Sequence, residues 1–325
     1  MFNFIARRLV QTIVVIIGVT LLAFVSLHIR GDPTSFFVAE RASKEEVARV
    51  RSLLGFDRPL PEQYLSYVGN LLRGDFGDSL KFKEPSLKLV LERLPATMEL
   101  TISSMLFSIL LAIPIGIIAA TRRGTPLDGG AMLLAITGQS MPSFWLGLML
   151  ILLFGLTLRW LPISGHVAVF DPLLAGDLGT AMQNFPQAIR YLILPTLTVG
   201  VFSLSRNARL VRSSMLEVLP QEYVVTARAK GLSEQTIIFR HALRNALIPI
   251  VTMFGLEFGF LLSGVVIAET IFSWPGVGRL EFNAIVQHDI PLVQTALLVF
   301  SLLFVFVNLI VDILYVYLDP RIRLG

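Results

Sequence analysis

The chain has 325 residues, 54% of them hydrophobic and only 15% charged, with a mean hydropathy of +0.72. Globular domains average about 25% charged residues, so this composition excludes an ordinary soluble domain and indicates an integral membrane protein. The net charge of +4 does not argue for nucleic acid, because the basic residues stand beside apolar runs where they meet lipid headgroups; the absence of cysteine excludes disulfides, thiol nucleophiles and cysteine-ligated zinc.

Arg7 and Arg8 precede an apolar run, Leu9–Ile29, which is too long for the core of a signal peptide and reads as a retained first span. A crossing needs about 20 apolar residues. Five further runs fit that need: Thr97–Ala120, Gly129–Leu158, Leu192–Ser205, Ile248–Ile271 and Leu292–Tyr317. In the third span, Gly138 and Pro142 stand one turn apart and predict a kinked, tilted helix. The fourth is short, with Arg206 and Arg209 placed to snorkel at its end.

Between the first two spans the sequence predicts small helices rather than a flexible linker. Ser43 and Glu46 form a capping box for a helix that stops at Gly55. Pro61 opens a second helix with an apolar stripe of Tyr64, Leu65, Val68, Leu71 and Leu72, ending at Gly74. Gly74–Gly77 is turn chemistry, and Leu87–Leu94 reads as an interfacial helix leading into the second span. This segment reads as a lid or as a platform for a soluble partner.

Charge sets the orientation. With the N-terminus inside, the cytoplasmic segments hold thirteen basic residues: Arg7, Arg8, Arg122, Arg123, Arg206, Arg209, Arg212, Arg228, Lys230, Arg240, Arg244, Arg321 and Arg323. The short outer loops hold three, Arg159, Arg190 and Arg279, which is a positive-inside bias with both termini cytoplasmic.

The loop after the fourth span has three parts. Arg206, Arg209 and Arg212 share one face of a helix leaving the membrane, which Pro220 breaks. A short helix, Glu222–Lys230, follows and stops at Gly231; Ser233 caps a third helix running to Arg244. The small Ala227 and Ala229 with the aromatic Tyr223 suit a helix docked in a protein groove. The bland alternative is an amphipathic helix lying on anionic lipid.

Three acids, Glu99, Glu257 and Asp312, fall in or near spans, where a charge costs about 2.5–3.5 kcal/mol and therefore faces a cavity or a partner. Glu257 stands among Gly255, Gly259 and Gly264, whose spacing marks a close helix contact, and it either lines a polar path or is a paired structural carboxylate. The histidines show no metal-ligand spacing, and no nucleotide-cradling G-x-x-x-x-G-K-[ST] motif occurs. Ser164 beside His166 has no surrounding G-x-S-x-G, so no catalytic residue is assigned.

The run Tyr223-V-V-T-Ala227-Arg228-Ala229-Lys230-Gly231-Leu232-Ser233, followed by His241-A-Leu243-Arg244-Asn245 and Pro249, resembles the cytoplasmic coupling loop of ABC-importer permeases of the dipeptide/oligopeptide/nickel branch, B-type subunit. Further matches run in order along the chain: Gly31-Asp32-Pro33, Leu94-Pro95-Ala96-Thr97, Met141-Pro142-Ser143-Phe144-Trp145, Glu269 to Arg279, and Asp319-Pro320-Arg321-I-Arg323. The resemblance implies an all-α membrane fold of six transmembrane helices with a type-1 permease core over residues 97–318 (coupling loop 206–247), a first helix and extracytoplasmic helical insertion over 1–96, and a cytoplasmic tail, 319–325. It implies a bacterial inner-membrane importer of di- or oligopeptides. Its partners would be a homologous second permease, two cytoplasmic ATPases that bind ATP and magnesium, an extracytoplasmic binding protein, and membrane lipid. Coupling would fall to Glu222, Tyr223, Ala227, Arg228, Ala229, Lys230, Gly231 and Leu232. One departure is plain: the family's Glu-Ala-Ala is replaced by Val225, Thr226 and Ala227, leaving Arg228 and Lys230 for polar docking contacts. Nickel or another small solute is the alternative cargo, and an ion-gradient-driven transporter is the alternative class.

Overall fold

The computed structural model describes residues 2–28, 32–38 and 43–318, so Gly31 and the Asp319–Arg323 motif lie outside the described residues. Among the described residues there is no strand, and one isolated bridge joins Asp78 to Pro85. The chain forms two compact units, one from Met1–Leu94 and Arg279–Phe306, the other from Pro95–Gly278 and Val307–Arg323.

The first unit begins with α1 (Phe2–His28). Two small helices follow, α2 (Lys44–Leu53) and α3 (Leu60–Leu72). Their ends follow the local rules: the Ser43 side chain accepts from the Glu46 amide at 3.1 Å, and Gly55 takes the left-handed φ of 73° that stops α2. Pro61 sits in the first turn of α3, where its missing N–H costs nothing.

A single helix, α4 (Ser86–Thr121), carries the chain from one unit into the other. It replaces the separate interfacial helix and second span read from the sequence, because Pro95 is accommodated inside it. In an apolar setting, neighbouring groups re-satisfy the backbone that a proline frees.

The third span is a correction. It consists of α5 (Pro126–Ser140) and α6 (Ser143–Leu150), with α6 continuing as a π-helical stretch through Thr157, and the two arms are bent by 102°. Met141 and Pro142 are both extended, with ψ of 127° and 132°. A proline drives the residue before it out of the helical region, so the expected tilt becomes a break.

After the short α7 (Phe170–Leu174), α8 (Leu178–Val218) is 41 residues long and runs through Pro186 and Pro195. The fourth span is thus embedded in a helix far longer than its apolar core, one that also carries Arg206, Arg209 and Arg212. Then come α9 (Glu222–Ala229), α10 (Glu234–Thr236), a π-helical stretch (Ile237–Ala242) and α11 (Leu243–Ile271). The helical path from Glu234 to Ile271 is unbroken, so Pro249 does not mark a boundary. The last elements are α12 (Val277–Val286) and α13 (Ile290–Leu318).

By length and composition four helices can cross a membrane, or up to five if the bent α5–α6 pair is one span. In the second unit the core is packed by α4, α8 and α11, with two apolar clusters, one around Val211, Met215 and Ile250, the other around Leu100, Leu194 and Val265. In the first unit Asp289 binds the 79–81 turn, accepting from the Ser79 hydroxyl and from the Leu80 amide at 3.0 Å.

Candidate functional site

The segment after α8 has a specific local logic. Pro220 cannot continue the α8 hydrogen-bond ladder, and the chain turns at Gln221 (ψ 149°) into α9. Val224 and Ala227, three residues apart and so on one face, are buried. They join the cluster formed by Ile117 and Ala120 of α4, Met215 and Val218 of α8, and Ala246 and Ile250 of α11. At the end of α9, Gly231 takes φ 77°, and the Leu232 amide reaches back to the Ala227 carbonyl at 3.4 Å. Nothing lies within 4 Å of where a Cβ would stand on Gly231, so conformation rather than crowding requires glycine there.

This burial corrects one expectation. Ala227 does not present a small surface to a partner; it faces the chain's own core at 6% exposure. The outward face consists of Glu222, Tyr223, Val225, Ala229, Lys230 and, just beyond, Leu232. The Tyr223 hydroxyl accepts from the Asn245 amide at 2.6 Å. Arg228 is likewise engaged, bonding Glu234 at 2.8 Å, and that hydrogen bond holds the Glu234 carboxyl below its ordinary range. Lys230 is therefore the more available of the two cations assigned to docking.

Glu257 on α11 is 4% exposed and accepts from the Asn207 amide of α8. The same amide group donates to Ser108 of α4 at 3.0 Å, so one asparagine ties three helices together. Among the described residues, Glu257 Oε1 and Asn207 Oδ1 have no hydrogen-bond partner. The carboxylate thus sits in a buried polar cluster, the paired alternative of the two readings. Gly255, Gly259 and Gly264 all lie on α11, the first and last where side-chain surroundings fall outside the described residues. The close approach visible elsewhere is at Gly116 of α4, where an added Cβ would collide with Val211 of α8.

A second polar group closes the start of this unit. Glu269 is fully buried and accepts from the Thr97 hydroxyl at 2.6 Å, while Thr97 accepts from the Val277 amide at 2.8 Å. Trp274 donates its indole N–H to the Ala96 carbonyl at 2.8 Å. A Cβ on Gly276 would fall within the Glu269 carboxylate, which explains the glycine there. Glu99 accepts from the His166 ring at 2.7 Å and from the amides of Val169 and Phe170 at 2.9 and 2.6 Å, and His166 packs edge-on against Trp274.

On α8, Arg212 makes a forked pair with Asp128 of α5 at 2.6 and 2.8 Å, and Arg209 donates to Gln139 at 2.7 Å. Next to these lies an apolar groove of about 650 Å³ between α4, α5 and α8, lined by Ile118, Leu134, Met141, Val201 and Leu204 among others. The sequence marked the arginine face and Glu99; it did not supply Asp128, His166 or Asn207 as partners, which stand 84, 67 and 50 residues from Arg212, Glu99 and Glu257.

Comparison with known proteins agrees with this architecture. Residues 1–101 match the family described as the N-terminal part of binding-protein-dependent transport system membrane components, and residues 112–324 match the binding-protein-dependent transport system inner membrane component family. The chain is 45% identical over 337 residues to the di/tripeptide transport system permease protein DppB of Pseudomonas aeruginosa, covering 99% of each. It is 42% identical over 340 residues to the dipeptide permease DppB of Escherichia coli K12, and 40% identical over 324 residues to the glutathione permease GsiC of Salmonella typhi, again over 99% of both chains. A solved inward-facing MetNI methionine ABC transporter shares the fold at 17% identity and a TM-score of 0.53, covering 71% of this chain and 96% of that one.

Proposed function

The chain belongs to the family of binding-protein-dependent transport system inner membrane components, and from that premise we propose that it is the permease subunit of an ATP-driven importer of short peptides. The observation that carries the substrate class is the near-complete, 45% identical match to a di/tripeptide permease. The glutathione permease at 40% fits the same chemistry, since glutathione is itself a tripeptide. The chain performs no covalent step; hydrolysis of ATP with magnesium belongs to two cytoplasmic ATPase subunits, and a second permease and an extracytoplasmic binding protein complete the assembly.

Six spans follow if α1, α4, the bent α5–α6 pair, α8, α11 and α13 each cross once, which puts both termini in the cytoplasm. The core is then residues 97–318, with an extracytoplasmic insertion between α1 and α4. In this reading the ATPase grips the outward face of α9, at Glu222, Tyr223, Ala229, Lys230 and Leu232, with Gly231 fixing the turn. Val224 and Ala227 pass that movement to α4, α8 and α11 through their shared apolar cluster. A docked partner shifts the permease only by binding its two states with different affinity.

The test replaces Gly231 with valine, whose branched Cβ resists φ 77°. Peptide uptake by the reconstituted complex is expected to be lost while the subunit stays in the membrane. Unchanged uptake would remove α9 from the coupling role. Uptake by this chain without ATPase subunits, driven by an ion gradient, would overturn the importer reading altogether.

A further inference from the structure

We propose that the groove bounded by α1, α3 and α13 holds a phospholipid acyl chain, so that α3 lies in the membrane rather than above it. The inference rests on the membrane reading of the chain but not on its cargo. On a helical wheel α3 divides cleanly. Tyr64, Val68 and Leu71 turn toward α1; Glu62, Ser66 and Asn70 lie on the opposite, exposed side. Leu65 and Leu72 occupy the flank beside Val68 and are 69% and 84% exposed. That pattern belongs to a helix at a water–hydrocarbon boundary.

Depth comes from contacts. The Tyr64 hydroxyl meets Thr20 at 3.0 Å. Thr20 stands eight residues before His28, about 12 Å along α1 at 1.5 Å per residue, and well inside the apolar stretch Gln11–His28. The groove extends to Val15 on α1 and to Leu298 and Val305 on α13, all deep within the two apolar spans. A soluble partner cannot reach that level.

Chemistry gives the occupant. The groove is about 200 Å³ and almost wholly apolar. Its hydroxyls are already used: Thr20 bonds the Ile17 carbonyl at 3.0 Å and Ser301 the Leu297 carbonyl at 2.8 Å. No free polar group holds water or a polar ligand there. The groove is continuous with the exposed apolar surface of the same spans, Leu22 on α1 and Leu302 on α13, which must meet lipid.

Because the chain has no cysteine, single cysteines give unambiguous labels in this subunit. Nitroxides are placed at Leu65→Cys, Leu72→Cys and Ser66→Cys in the full complex, reconstituted in phosphatidylethanolamine–phosphatidylglycerol vesicles. Labels at 65 and 72 are expected to collide with oxygen and be shielded from a water-soluble nickel chelate, with the reverse at 66. Nickel contact at 65 and 72 equal to that at 66, or exclusion of both reagents by a covering protein, would overturn the proposal. For the groove itself, chain-labelled phosphatidylglycerol should show a motionally restricted component that is lost in Ser301→Trp. Val305→Phe serves as the milder filling variant if Ser301→Trp fails to insert. A restricted component unchanged by a well-inserted filling variant would also overturn it.

Discussion

The two ends of the second unit are built on opposite principles. Where α4 enters it, Glu99 and Glu269 are buried, and each takes donors from segments far away in the chain. At the other end α9 is a two-turn helix held by one apolar face, with its polar bonds, Tyr223–Asn245 and Arg228–Glu234, on the exposed side. Buried, fully donated carboxylates resist displacement, since every donor left behind costs free energy; exposed pairs exchange with water at little cost. The first end is a clamp and the second a handle, which is the division a lever needs.

The largest test strikes the clamp. Gly276→Val drives a side chain into the Glu269 carboxylate, and overpacking of this kind costs about 1–3 kcal/mol or more; thermal unfolding of the purified complex should show the greatest fall of any variant considered. Next, Glu99→Ala removes the acceptor for His166 and for the Val169 and Phe170 amides. Each orphaned buried donor costs about 1–3 kcal/mol, so this variant should unfold at clearly lower temperature, while Glu99→Gln, which keeps an acceptor oxygen, loses less. Asn245→Ala at the handle forfeits one partly exposed bond, worth about 0.5–1.5 kcal/mol, and a double-mutant cycle with Tyr223→Phe should give a coupling of that size.

The smallest effect is expected from Arg228→Ala. The pair lowers the Glu234 carboxyl below its model value of 4.5. Its contribution is therefore complete above that value and is lost as pH falls through the lowered one. Arg228→Ala should change the melting temperature little at neutral pH and should erase only that acidic-side difference. If the handle variants destabilise the protein as much as the clamp variants do, the contrast between the two ends is wrong.

Local features were legible in the sequence because their causes are local. Ser43, Gly55, Pro220, Gly231 and Ser233 each start or stop a helix through a bond or dihedral within a few residues. The prolines misled in both directions. Pro95, Pro186 and Pro195 pass inside helices, whereas Pro142 breaks one by 102°; residue type alone does not tell which, since packing decides whether the freed backbone is satisfied. The pairings that define the site were not legible. Nothing near Glu257 in the chain announces Asn207, and the inward face of Ala227 follows from where α4 and α8 pass rather than from the short helix itself.

The wide turn at Ile237–Ala242 carries a further meaning. Its closing bond runs from the Leu243 amide to the Ile238 carbonyl, five residues back instead of four. Such a turn is an ordinary helix holding one residue in excess. Deleting a single residue there would leave the rod continuous but spin everything after it by about 100°, swinging Glu257 away from Asn207. The helix therefore keeps its phase by means of a surplus amino acid, and length variation among natural homologues should avoid this short stretch while tolerating change in the loops on either side.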